Sequence, residues 1–245
     1  MRGKTHVLEV WGDLACYSKP ESKVERYSYQ VITPSAARGI FDAIYWKPED
    51  NFYWQIERVE LLSEPRYLAL RRNEVKDKAP SHSVILKWKE GKESISPIFA
   101  DGVGVDQKGR TQRQTMALKQ VHYRLHAHMC FRHEKGNVAS RDAQFVRRAK
   151  QGKCIYQPYL GCREFPAFFN LITNIKEAIE KAPPLKMKID LGWMLYDVFD
   201  LSQQNDNNAM AKISFFKAVV EKGVLEVPAY TTEAVRKAEE NNYVG

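Results

Sequence analysis

Residues 121 to 133, VHYRLHAHMCFRH, give the cleanest alternation in the chain, and that pattern constrains the fold more than any other. Side chains of an extended backbone point to opposite faces in turn. Val121, Tyr123, Leu125, Ala127, Met129 and Phe131 therefore share one face, and His122, Arg124, His126, His128, Cys130 and Arg132 the other. A long strand over a core follows, and a sheet must be built around it. Three histidines on one side raise the question of a metal. Residues two apart on a strand stand roughly 6.6 Å from each other, and a metal would also need a carboxylate or another ligand from elsewhere, none of which is visible, so no metal and no cofactor are expected. The reading preferred for that side is a polar sheet surface, or one that faces RNA.

The other well-defined element lies in VITPSAARGIFDAIYWKP (31–48), a helix with both ends legible. Thr33 can accept from the first-turn N–H groups, Pro34 suits the first helical position, and Pro48 closes the segment. Ala37, Ile40, Phe41 and Ile44 recur at the spacing of one buried face. Tyr45, Trp46 and Lys47 leave the last turn together. They either finish the core, with Lys47 offsetting the helix dipole, or present a phenol, an indole and an ammonium to a nucleic acid.

In order, the chain offers a strand at 5–11, the helix, a strand at 56–62 turning at Glu64-Pro65 into a second at 66–72, and an excursion over 73–110. Gly102-Val103-Gly104 opens no helix after a strand and reads as a turn. After the long strand comes a helix over 140–151, with Ser140 as N-cap, Ala143, Val146 and Ala149 with Phe145 inward, and Gly152 as its stop. A strand-like stretch broken by Pro158, Gly161 and Pro166 follows. Pro183-Pro184 marks a boundary, beyond which strands at 186–199, 213–220 and 224–227 predict a small antiparallel sheet. The expected architecture is α+β: a ferredoxin-like (RRM-like) βαββαβ domain at 1–182 with an inserted loop around 73–110, and a C-terminal β-sheet domain at 183–245.

With 245 residues, 44% of them hydrophobic, the chain can bury a substantial core. No apolar run reaches the roughly 18 residues of a membrane span, and MRGKTHVLEVWGD lacks the apolar run of a secretory signal, so a cytoplasmic protein without membrane association is expected. Cys16, Cys130, Cys154 and Cys162 include no CxxC pair. The formal charge is +8, and it is concentrated: between Arg110 and Lys153 stand eleven Lys or Arg against only Glu134 and Asp142. Cations near aromatic residues suit a phosphate backbone and stacked bases, and no basic amphipathic helix argues for a membrane surface instead.

GDLACYSKPESKVERYSYQVITPSAARGIFDAIYWKP, RRNEV (71–75), RTQRQTMALKQVHYRLHAH (110–128), RRAKQGKCIYQPYLGCREFPAFF (147–169) and VVEKGVLEVP (219–228) together resemble the CRISPR-associated RAMP proteins of subtype I-C (Dvulg), the "Cas five d" family. The resemblance covers nearly the whole chain. It implies a metal-independent endoribonuclease that cuts the hairpin repeats of precursor CRISPR RNA by 2′-OH attack, leaving a 2′,3′-cyclic phosphate and a 5′-OH. It further implies retention on the guide's 5′ handle beside other subunits of the type I-C effector complex. The alternative is a non-catalytic RNA-binding scaffold of that complex; duplex DNA is a further partner that charge alone leaves open.

The family tyrosine falls on Tyr45, whose phenol, ordinarily near pKa 10, neighbouring cations would make more acidic. The family's Lys-His pair, placed five and four residues ahead of Phe145, is replaced by Ser140 and Arg141. Arg141 can stabilise phosphorane charge but is too basic for ordinary proton shuttling, which leaves His133 and Lys135 upstream as candidates for that task. Cations expected to hold RNA are Arg38, Lys47, Arg71, Arg72, Arg113, Lys119, Arg124, Arg147, Arg148 and Lys150.

Overall fold

The computed structural model describes residues 1–22, 24–95, 99, 109–132, 137–203 and 212–237. Its elements are β1 (His6–Ala15), β2 (Arg26–Tyr27), α1 (Pro34–Ile44), β3 (Phe52–Leu61), β4 (Tyr67–Val75), α2 (His82–Lys89), β5 (Arg110–Phe131), α3 (Val138–Lys150), β6 (Phe168–Ile172), α4 (Ile175–Lys181), β7 (Ile189–Asp197), β8 (Ser214–Glu221), β9 (Val224–Glu226) and β10 (Arg236–Lys237). Two compact units result, one of Met1–Leu68 with Met116–Gly245, the other of Ala69–Thr115. In the second, Lys76 donates its N–H to the carbonyl of Gly109 (3.0 Å), and α2 takes the place of a plain loop.

In the first unit residues 121–131 of the alternating stretch form the C-terminal half of β5, a strand of 22 residues. Antiparallel partners occupy both its edges, β1 from His6↔Ala127 onward and β3 from Phe52↔Phe131 onward. The order β3-β5-β1-β6, with α1 after β1 and α3 after β5, is the expected βαββαβ arrangement. The anticipated hairpin of β3 with β4 does not form. Leu62 donates to the carbonyl of His122 and Lys119 to that of Arg66, so Glu64-Pro65 carries the chain onward along β5 without folding it back. Strands β7 to β10 are antiparallel and join the same sheet through β9, which pairs with β3 at Val59↔Leu225.

Aromatic packing fixes the two main helices to β3. The Trp54 ring lies 4.6 Å from Phe145 of α3 and 5.0 Å from Phe41 of α1, all three side chains fully buried. Each such side chain contributes on the order of 2–3 kcal/mol of burial. The segment after α3 is pinned beneath the end of β1: Cys16 donates its N–H to Leu160, and Gly161, at φ +83°, has the Cys16 carbonyl oxygen 2.1 Å from where a Cβ would sit. Glycine alone fits there.

The polar side of 121–133 is not an open surface. Arg124, His126 and His128 are buried, and each histidine of the three is committed to a carboxylate: His122 to Glu9 (2.7 Å), His126 to Glu60 (2.8 Å) and His128 to Glu57 (3.0 Å). Helix α4, absent from the sequence reading, explains part of the cover. Arg124 donates to its terminal carbonyls at Ala178 and Ala182 (both 2.8 Å) and ion-pairs with Glu60. Burial pushes the Glu60 carboxyl up, and hydrogen bonds from His126 and Arg124 outweigh it, leaving Glu60 below its ordinary value.

A buried amide couples β3 to the C-terminal strands. Gln55 donates to the Tyr196 hydroxyl (2.8 Å) and accepts from the Tyr230 N–H (3.0 Å). Replacing Gln55 with Leu orphans the Tyr230 amide and should cost roughly 2–3 kcal/mol. Urea titration is expected to show a lower midpoint with an unchanged slope.

Candidate functional site

Helix α1 begins as its sequence predicts, with the Thr33 hydroxyl accepting from Ala36 N–H (3.3 Å) and Pro34 in the first turn. Its buried face comprises Ala37, Ile40, Phe41 and Ile44, joined by Pro34 and Ala43. At its end the last carbonyls, which no helical N–H can reach, are taken by other elements: Ile155 donates to Ala43 (2.6 Å) and the Arg148 guanidinium of α3 to Ile44 (2.6 Å). The next residue is Tyr45, in extended backbone, its carbonyl accepting from the Trp54 indole (3.0 Å) and its ring stacked on Phe52 at 5.8 Å and 15°. Tyr45 is 6% exposed and held on both its backbone and its ring. Trp46 projects outward at 39% exposure, and Lys47 beside it is half-buried.

Helix α3 starts earlier than predicted. Asn137, not Ser140, is its N-cap, accepting from the Ser140 N–H (3.0 Å). Arg141, Phe145 and Arg148 then follow at the i, i+4, i+7 spacing of one helix side, with Phe145 and Arg148 reaching α1 and Arg141 half-buried in the first turns. His133 and Lys135 lie outside the described residues.

The candidate RNA cations separate into three groups. Lys119, Arg147 and Lys150 are exposed in the first unit, and Arg71 is exposed in the second, where Arg72 and Arg113 are half-buried. Arg148 is half-buried at the end of α1. Two expectations are corrected. Arg124 is 1% exposed and serves Glu60 and α4, so no phosphate can reach it. Arg38 is 16% exposed and bridges Asp42 (2.6 Å) and Asp197 (2.8 Å), which fastens α1 to β7. Facing the core is what both positions have in common, and a basic residue there must find a carboxylate.

The family model Cas5d, described as CRISPR-associated protein (Cas_Cas5), matches residues 5–228. The chain belongs to the Cas5d family. It is 38% identical over 234 residues to the CRISPR pre-crRNA endoribonuclease Cas5d of Mannheimia succiniciproducens, covering 94% of this chain and 97% of that one. With the Thermus thermophilus protein of the same name it shares 35% over 251 residues, 97% of each. Two crystal structures share the fold: a CRISPR-associated protein (TM-score 0.63, 22% identity, covering 96% and 98% of the two chains) and a functionally uncharacterized Streptococcus mutans protein (0.61, 21%, the same coverage).

In this Cas5d chain a further cation, Arg132, is fixed directly after β5. It donates to Asn51 (3.0 Å) and the Leu201 carbonyl (3.0 Å), and its guanidinium lies 5.2 Å from the Tyr53 ring centre. The sequence showed it as one more residue of the basic segment and carried no signal of this placement.

The carboxylates around Arg38 also create a pH dependence. Burial pushes the Asp42 carboxyl up from 3.8 to about 6, with the neighbouring Asp197 adding to it against the pull of Arg38. A folded pKa above the unfolded one means that the contribution of Asp42 is fully present below 3.8 and is lost as pH rises through about 6. Asp42→Asn keeps an acceptor for Arg38 and should flatten melting-temperature profiles between pH 4 and 6. At neutral pH it should stabilise by on the order of 3 kcal/mol, taking about 1.4 kcal/mol per pK unit.

Proposed function

We propose that this Cas5d chain is a metal-independent endoribonuclease that cleaves the repeat hairpin of precursor CRISPR RNA. The observation that carries the reading is near-full-length identity with relatives named as pre-crRNA endoribonucleases. The held position of Tyr45 supports it further. The ribose 2′-OH attacks the adjacent phosphorus and loses its proton; the 5′-oxygen leaves and takes one up. The products are a 2′,3′-cyclic phosphate and a 5′-OH. Because the nucleophile belongs to the RNA, the protein's work is alignment, two proton transfers and stabilisation of phosphorane charge. Tyr45 orients or activates the 2′-OH, Arg141 faces the phosphorane, and His133 or Lys135 protonates the leaving oxygen. Lys47, Lys119, Arg147 and Lys150, with Arg71, Arg72 and Arg113 of the second unit, hold phosphates.

In this reading residues 1–182 form the RAMP domain and 183–245 its C-terminal β-sheet appendage. After cleavage the protein stays on the 5′ handle as a subunit of the type I-C effector complex in the cytoplasm; no described helix is long and apolar enough to cross a membrane. A second reading, a scaffold that binds the RNA without cutting it, draws support from the burial of Tyr45 and from Ser140 and Arg141 standing where the family has Lys-His. Binding of duplex DNA by the basic surface would belong to either.

Purified protein with its cognate repeat in EDTA separates them. Cleavage at one site is expected to survive the chelator and to fall at least about 100-fold in Tyr45→Phe, the loss typical of a proton-transfer group. Tight binding with no product establishes the scaffold. Arg147→Ala with Lys150→Ala, both exposed, should weaken RNA binding and reduce the slope of log affinity against log salt by about 1.4 if both contact single-stranded RNA.

A further inference from the structure

The outer face of the C-terminal strands carries a constellation that the cleavage reading does not use. Along β8, Phe216, Ala218 and Val220 turn inward while Lys217, Val219 and Glu221 turn outward. Trp193 of β7, in register with Lys217, leaves 42% of its surface exposed. Two cations attend its ring, the Arg236 guanidinium of β10 at 4.7 Å from the centroid and the Lys217 ammonium at 5.9 Å. Neither cation forms a salt bridge among the described residues. Four residues along the same strand, roughly 13 Å away, Glu221 is paired with Lys188 (3.0 Å). There an open concavity of about 690 Å³ is lined by Pro184, Lys186, Met187, Lys188, Glu221 and Lys222.

This face therefore combines an exposed indole with five cations, against two carboxylates: Glu221, paired with Lys188, and Asp190, which stands in register with Val219 and accepts from the Gly192 N–H (2.9 Å). The chemistry selects its partner. A polyanion answers the charge, and one with accessible π-faces answers the indole. A duplex hides those faces, and an acidic peptide offers none in regular series. We propose that this face is a second binding surface for single-stranded RNA, separate from Tyr45. A base stacks on Trp193, displacing one of its cations toward the phosphates, and Lys217, Arg236, Lys186 and Lys222 hold the backbone.

The test uses the full chain and a fluorescent twelve-nucleotide uridine RNA, which forms no hairpin, followed by anisotropy, with repeat cleavage measured in parallel. Trp193→Ala is expected to weaken binding about tenfold, and Trp193→Phe to stay close to wild type, because a ring still stacks. Lys217→Gln with Arg236→Gln should reduce the salt slope by about 1.4. Repeat cleavage and melting temperature are expected to be unchanged in all three, the altered side chains lying on the surface. Wild-type binding by Trp193→Ala overturns the proposal. So does a short DNA duplex that competes as well as the uridine RNA, since base faces would then play no part. Absence of repeat cleavage in the wild type would defeat the cleavage reading and leave this measurement intact.

Discussion

The hydrogen-bond ladder along β5 is the constraint on which the rest of the first unit depends. With β1 on one edge and β3 on the other, Tyr123 to Ala127 of β5 have a paired neighbour on both sides. Trp54 of β3 is thereby placed under both helices. Its ring touches Phe41 and Phe145, and its indole N–H takes the carbonyl of Tyr45. The position of the candidate phenol is thus set by a strand, a helix end and the Arg148 guanidinium together.

Basic residues play two opposed parts in this protein. Where the fold buries them, at Arg38 and Arg124, they are spent on carboxylates and helix-end carbonyls and hold elements together: α1 to β7, β3 to α4. Removing one partner of such a pair leaves an uncompensated charge in a poorly solvated place. Where the fold exposes them, at Lys119, Arg147, Lys150, Lys217 and Arg236, they add to a net charge of +8 and attract polyanions at long range. Composition cannot separate the two groups, because the side chain is the same in both.

Much of the framework was readable beforehand. Thr33, Pro34 and the apolar spacing through Ile44 defined α1, and the alternation through Phe131 defined the end of β5, because capping and periodicity are local properties. Helix α4 escaped notice although Asn174 can cap it and Ile175, Ala178 and Ile179 recur at i, i+3 and i+4: at seven residues, none of them buried, it is too short for periodicity to separate a helix from a loop. The hairpin at Glu64-Pro65 was misread since a turn signal records a bend without saying which strand the chain meets next. Asn137 was passed over for Ser140, both being good cap residues, and only the backbone decided between them.

The candidate site divides in the same way. Tyr45 and Arg141 were nameable from a family pattern written in contiguous residues, but the burial of Tyr45 and the arrival of Arg148 one residue before it arise from packing between segments about a hundred positions apart. By itself the sequence determined the βαββαβ order, the family, the two principal helices and an excess of positive charge. The tertiary structure alone decided which cations face water, that the polar side of β5 is covered, and that Trp193, Lys217 and Arg236 meet on one face. Periodicity reports which side of an element a residue occupies; what lies against that side is settled only when distant elements pack.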